Sequence, residues 1–341
     1  MRFLFGDRIV LYPRFHAEAR YGPFKIRRLR PSTTFQHQSI DGRWAFQINK
    51  QGFRDDHDYE YAKRPGCLRV LCLGDSHTEG FECTQTNTYA KVLERCGKSR
   101  GRDVEVLNAA FSGAGTAEEL VLLENEGIRY HPDYVVVGFF ANDPDDNVKS
   151  DLFRLQDGRL ITNKFVHLPG VRLLEPLNDF ALTRWLSQHS FAYSLVLNRV
   201  WDAMKARLSW ERAQAIPNEY AVAPVSADQR IRQYQTQLTS ALFERMHAFC
   251  RSHGIRLFVV DIPQRESERV FGSSFSPALA ATMATNCDLV LWSTNLFADR
   301  QNKEPLFVPH GQWHIAEPTH ARIGMELARA ILADAAASTN K

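Results

Sequence analysis

The 341-residue chain is short of the features that mark many protein classes. It has six cysteines, Cys67, Cys72, Cys83, Cys96, Cys250 and Cys287, and none stand at the C-x-x-C spacing of a zinc site or a redox dithiol. They read as reduced thiols of a cytoplasmic protein, although their even number leaves disulfides open if the chain is exported. No apolar run approaches the ~18 residues of a bilayer span, and the charged start from Met1 to Arg8 precedes no long apolar core. Neither a membrane span nor a signal peptide is therefore expected. A net charge of only +3 argues against a nucleic-acid partner, and the one basic cluster, Lys25, Arg27, Arg28 and Arg30, reads as a solvated face. There is no internal repeat, and low complexity is confined to the small-residue tail at 336–341.

What remains is an ordinary globular composition, 44% hydrophobic and 24% charged, long enough for one large domain or two smaller ones. Residues 1–66 carry aromatics and turn formers without helical periodicity. Asp41-Gly42 separates two alternating stretches, Phe35 to Ile40 and Trp44 to Ile48, which predicts a β-hairpin. This region is expected to be a β extension on the main domain. Regular alternation begins at Cys67. The apolar runs Val70 to Leu73, Val104 to Leu107, Tyr134 to Phe140 and Ile255 to Ile262 are too short for helices and suit strands buried on both faces. Helical patterns lie between them at Tyr89 to Cys96, Ala117 to Glu126 and Ile231 to His253, with Leu289 to Trp292 as a last strand. Strand and helix in alternation predict an α/β fold, a doubly wound parallel sheet flanked by helices, over residues 67–335. Residues 148–228 interrupt it with a small hairpin at Asp157-Gly158, a helix from Ala181 to Arg207 and a loop from Ile216 to Asp228. This helical insertion can overhang the carboxyl ends of the strands as a lid or simply cover core.

The chemistry gathers at those ends. Gly74-Asp75-Ser76 follows the first core strand, Ser112-Gly113 the second and Asn142-Asp143 the third, and a His-rich loop with His310, His314 and His320 precedes the final helix. In a parallel sheet these ends face one side, so the loops can supply a nucleophile, amide donors and a base, the parts of acyl transfer.

In this order the four blocks resemble the SGNH hydrolases, the GDSL esterase/lipase superfamily, over about residues 67–335. The resemblance implies a flavodoxin-like sheet and Ser76 as nucleophile. It also implies oxyanion donors from the Ser76 amide, the Gly113 amide and the Asn142 side chain, with a histidine base. His314 fits the family register, with Ile315, Thr319 and His320 following it. His320 is the alternative, because Glu317 three residues earlier imitates the family's Asp-x-x-His, but Pro318 suits a first helical turn and would put His320 inside the helix. Asp75, His77, Phe140, Asp143 and His320 are the candidate substrate contacts around these blocks. Two departures stand out. Gly311 occupies the place of the family's Asp, with the neutral Gln312 beside it, and Phe140 replaces a Gly and reshapes the pocket wall.

The implied activity is serine-dependent hydrolysis of a small-molecule, carbohydrate or lipid ester, short-chain or O-acetyl, through an acyl-enzyme. Transfer to a sugar or alcohol is the alternative chemistry, and a non-catalytic binding module with this fold the alternative class. Without an acid at 311, a Ser-His dyad, an acid donated from elsewhere and a lapsed enzyme are all compatible. No metal or cofactor is expected. His310, His314 and His320 place at most two ligands on one face, turn chemistry around Pro144 accounts for Asp143, Asp145 and Asp146, and Trp185, Trp201 and Trp210 read as core.

Overall fold

The computed structural model describes residues 10–216, 227–266, 270–299, 305–311 and 314–339. The expected loop from Ile216 to Asp228 thus falls almost wholly outside the described residues, as do Met1 to Arg8 and Gln312. The chain opens with two antiparallel pairs: β1 (His16–Tyr21) with β2 (Phe24–Leu29), and β3 (Thr33–Gln38) with β4 (Arg43–Ile48), the latter joined across Asp41-Gly42. The central strand β5 (Leu68–Gly74) follows, then α1 (Ser76–Glu79), α2 (Tyr89–Ser99), β6 (Val104–Asn108), α3 (Thr116–Asn125), β7 (Tyr134–Phe139) and α4 (Asp143–Ser150).

Next come the hairpin of β8 (Phe153–Gln156) and β9 (Arg159–Thr162), and β10 (Val166–His167), which joins β2. Where one helix was expected over 181–207 there are two, α6 (Ala181–His189) and α7 (Phe191–Gln214), preceded by α5 (Val171–Asp179). The last break has a local cause, since the Ser190 side chain accepts the Tyr193 N–H and starts a new helix. The rest is α8 (Ala227–Ser252), β11 (Arg256–Asp261), a short pair of β12 (Gln264–Arg265) and β13 (Phe271–Gly272), α9 (Pro277–Asn286), β14 (Leu289–Leu291), α10 (Ser293–Leu296) and α11 (Glu317–Thr339). The helix expected over Tyr89 to Cys96 does not stop at Gly97. The glycine lies inside α2, against the Val104 side chain.

The main sheet runs β14-β11-β7-β5-β6, and all of its pairings are parallel. Numbered in chain order this is 2-1-3-4-5, the flavodoxin-like winding, and the direction of winding reverses between β5 and β7. Alternate residues of each strand enter different cores. Leu71, Leu73, Val135 and Val137 pack with α3, α8 and the amino-terminal strands, while Val70, Cys72 and Val136 pack with α2 and α11. Such two-sided burial is what continuous apolar strands need, and it leaves the carboxyl edge between β5 and β7 as the natural place for a site. Among the described residues no helix is long and apolar enough to cross a membrane.

Candidate active site

Ser76 begins α1 at that edge. The turn into it is forced by close packing: Gly74 has φ of 150°, and any Cβ there would collide with Thr78. Asp75 caps α1, its Oδ1 accepting the His77 N–H at 2.8 Å. Burial pushes the Asp75 carboxyl up to about 7, with the Asp146 and Glu79 charges adding to it against the His77 N–H bond.

His314 arrives from the loop before α11 and places Nε2 3.0 Å from Ser76 Oγ. Behind the ring, Nδ1 lies 3.3 Å from Glu82 Oε2. An ionised carboxylate only accepts, so Nδ1 carries the proton and Nε2 is left to accept the Ser76 hydroxyl. Burial alone would raise the Glu82 carboxyl, but hydrogen bonds from His314 and His37 outweigh it and hold it at about 2. The acid missing from position 311 is therefore present, six residues after the serine. Gly311 is its complement, because a Cβ there would run into the Glu82 carboxylate.

Holding Glu82 takes several groups from outside the sheet. Its backbone is left-handed, with φ of 59°, an uncommon state for a side-chain-bearing residue. The buried Arg54 guanidinium donates to the carbonyls of Gly80 at 2.5 Å, Glu79 at 3.0 Å and Cys83 at 2.8 Å, and so pins both flanks of that loop. Oε1 of Glu82 faces His37 Nε2 at 3.5 Å, while His37 Nδ1 faces the Leu11 carbonyl at 3.1 Å. Arg54 and His37 were not singled out in the sequence, and neither was Glu82. The only local sign was an acid six residues past the nucleophile.

The other blocks meet the same cavity. Ser112, after β6, is fastened on three sides: its N–H and Oγ both donate to Glu79 Oε2 at 2.5 Å, and its carbonyl accepts Arg27 Nη2 at 2.6 Å. Gly113 follows in left-handed backbone, φ 73°. Among the described residues the Ser76 and Gly113 N–H groups have no acceptor within the chain. Asn142 lines the cavity, with one Nδ2 hydrogen given to Asp146 at 3.0 Å and the second left over. His77 and Phe140 also line it, their rings 4.0 Å apart. Burial, and then His314 and His320, push the His77 imidazole well below its ordinary range.

Several expectations are corrected here. His320 is fully buried inside α11, with its Nδ1 accepting the Tyr89 N–H at 3.3 Å, and it does not reach the cavity. Glu317 is no acid for it, since it accepts from Thr84 N–H and Asn87 Nδ2 at 2.8 Å each. Asp143 is buried under the loop, accepting the Phe140 N–H at 3.0 Å, and so serves the turn instead of substrate. His310 is bound to Asp41, so the three histidines do not converge. Trp185 and Trp210 are exposed. The basic cluster is not wholly solvated either. Arg27 is 2% exposed and points into the cavity, which holds about 540 Å³ and is walled by Tyr12, Arg14, His16 and Arg27 from the amino-terminal segment and by Trp201 and Lys205 of α7.

No curated protein matches the chain. Its structure is similar to a lipase/acylhydrolase from Enterococcus faecalis, with 14% identity and a TM-score of 0.41 over 77% of this chain and 95% of that one. It is also similar to a variant of an acetyl-xylooligosaccharide esterase from Geobacillus Stearmophilus, with 11% identity and a TM-score of 0.42 over 78% of this chain and 92% of that one. A third is the psychrotrophic esterase EstA from Pseudoalteromonas sp., with 14% identity and a TM-score of 0.37 over 77% and 96%. The model of the GDSL-like lipase/acylhydrolase family matches residues 72–280, well over half of the chain and inclusive of the serine turn, the Ser112-Gly113 loop and Asn142. The chain belongs to that family, and it is an ester hydrolase of the GDSL type.

Proposed function

We propose that the protein hydrolyses carboxylic esters through an acyl-enzyme on Ser76, with His314 as general base and Glu82 as the acid that orients it. The observation that carries this reading is the unbroken chain from Ser76 Oγ to His314 Nε2 at 3.0 Å and from His314 Nδ1 to Glu82 at 3.3 Å. Ser76 attacks the ester carbonyl while its proton passes to Nε2, and the imidazolium so formed is stabilised by the carboxylate behind it. The tetrahedral oxyanion is met by the free N–H groups of Ser76 and Gly113 and by the second Nδ2 hydrogen of Asn142. His314 then returns the proton to the departing alcohol, and water repeats the sequence to release the acid. A non-catalytic module would have no need of the ionised carboxylate, the pinned loop and the left-handed residue that together hold the His314 ring.

The test is turnover of a short-chain nitrophenyl ester and labelling by a fluorophosphonate, each measured on wild type and on Ser76→Ala. Both signals are expected from the wild type, with turnover lost by at least ~10⁴-fold in the variant. Wild-type protein that neither turns over nor labels would sink the reading. Asn142→Ala should still label but lose ~10²- to 10³-fold in kcat, the usual cost of one oxyanion donor.

A further inference from the structure

The cavity has two unlike ends. Around Ser76 the charges are engaged, Glu82 with His314 and His37 and Asp75 through Oδ1 with the α1 cap. The other end, between β2 and α7, collects donors with too few acceptors. Arg27, 2% exposed, gives one hydrogen bond, to the neutral Ser112 carbonyl, and its Nε is buried without an acceptor. Arg14 spends Nε and Nη2 on the neutral Asn198 Oδ1, at 2.9 and 2.7 Å, and lies 4.6 Å over the Trp201 ring. Lys205, more exposed, holds its ammonium 5.9 Å from the same ring and forms no ion pair within 4 Å among the described residues. Both nitrogens of His16 and the Trp201 indole N–H are also buried and unpartnered. The carboxylate lining this end is the exposed Asp202, which makes no ion pair among the described residues, and Asp146, whose charge acts on Lys205 from behind, is already paired with Lys149. Glu79 and Glu118 lie nearer the base of Arg27, but Glu79 is occupied by Ser112, and burial raises the carboxyls of both.

Buried cations facing neutral groups are costly unless a counter-charge completes them. The arrangement also lies close to the chemistry. Measured from where a Cβ of Gly113 would stand, Arg27 Nη2 is 3.1 Å away and Lys205 Nζ 4.0 Å. We propose that the end of the cavity formed by Arg14, Arg27 and Lys205 is an anion subsite, and that the enzyme's substrates are esters bearing a phosphate or carboxylate group close to the scissile bond. This rests on the hydrolase reading above. Water is added across the acyl–oxygen bond as before, and the anionic group takes no part in the bond changes. It fixes the substrate so that the carbonyl oxygen meets Gly113.

The experiment compares an anionic ester with a neutral counterpart on each side of the scissile bond. On the acyl side the pair is 4-nitrophenyl hemisuccinate and its neutral methyl ester. On the alcohol side it is an acetylated glycerol 3-phosphate and monoacetylglycerol. On one of the two arms the wild type should favour the anionic member by at least ~10-fold in kcat/KM, and rising salt should shrink that preference. Lys205→Gln and Arg14→Gln should each cut the ratio by ~5-fold or more. Ratios near one on both arms, or ratios the variants leave unchanged, overturn the subsite while leaving the hydrolase standing. A binding measurement is independent of turnover: Ser76→Ala titrated calorimetrically with inorganic phosphate and with glycerol 3-phosphate, beside Ser76→Ala/Lys205→Gln. Saturable binding of either that the second substitution weakens upholds the subsite even if no ester is turned over. Absence of binding to both at ~10 mM overturns it.

Discussion

His314 and His320 stand on either side of one helix start, and their surroundings differ at every point that matters for chemistry. His314 is on the loop, with a hydroxyl at one nitrogen and a carboxylate at the other. His320 is within α11, with one nitrogen on a backbone N–H and the other buried without a partner. Burial, then Arg54 and His314, depress the His320 imidazole to about 3, so it stays neutral and inert. A histidine becomes a base through what sits behind it, and here that is Glu82, delivered by a loop that the amino-terminal segment holds in place.

The strongest way to break the contrast is to remove what lies behind His314. Glu82→Gln keeps the shape and discards the charge, and kcat on a nitrophenyl ester should fall by ~10²- to 10⁴-fold with KM little changed. The same variant should change acid stability. The folded Glu82 carboxyl is held at about 2 against an ordinary 4.5, so its contribution is full above pH 4.5 and is lost as pH falls toward 2; denaturant melts across that window should be shallower in Glu82→Gln. A sharper form exchanges the two residues. Gly311→Asp alone should be damaging, because its Cβ meets the Glu82 carboxylate, whereas Glu82→Gly/Gly311→Asp frees that space and suits the left-handed backbone at 82. The double variant should exceed Glu82→Gly by ~10-fold or more in kcat, a non-additivity expected of residues that share one space.

How much of this was legible in the sequence follows from how local each signal was. Val70 to Gly80 is one contiguous strand, turn and nucleophile, and the loops at Ser112 and Asn142 are set by the same strand-end logic, so the winding and the floor of the site could be read directly. Pro318 could likewise place His320 inside a helix. Glu82 could not be paired with a residue 232 positions away, because the pairing exists only once Arg54 and His37 have folded the loop against the sheet edge. Gly311 therefore looked like a loss when it was space left for that acid. The walls were the least legible. Arg27 sat in a run of basic residues that suits solvent, and only the meeting of β2 with α7 turns it inward.

A weaker break acts one step further back. His37 touches Glu82 and no substrate, and is a positioning residue. Facing two acceptors, Glu82 and the Leu11 carbonyl, a neutral imidazole can satisfy only one at a time, and burial lowers its pKa against the pull of Glu82. His37→Gln should cost ~3- to 10-fold in kcat, comparable to the loss of one neutral hydrogen bond. KM should hold, and the Glu82→Gln background should erase the effect. A His37 effect that persists without the Glu82 charge would mean that it packs the wall and does not tune the acid.

The smallest kinetic effect belongs to His320, and its signature is in stability. His320→Leu removes the acceptor for the Tyr89 N–H at the start of α2, an orphaned donor that costs on the order of 1 to 3 kcal/mol at pH 7, offset in part because the unpartnered Nε2 goes with it. The sign with pH is opposite to what a lost contact alone would give. The folded His320 pKa is depressed to about 3 from 6.5, so the unfolded chain takes up that proton first, and the wild type loses stability as pH falls from 6.5 toward 3. Leucine carries no such penalty. The deficit of His320→Leu in denaturant melts should therefore narrow from pH 7 to pH 5, with kcat at pH 7 within ~2-fold of wild type, since a change this far from the reacting atoms removes no transition-state contact. A large fall in kcat with an unchanged melt would return His320 to the chemistry and make its helical burial a resting state of the loop.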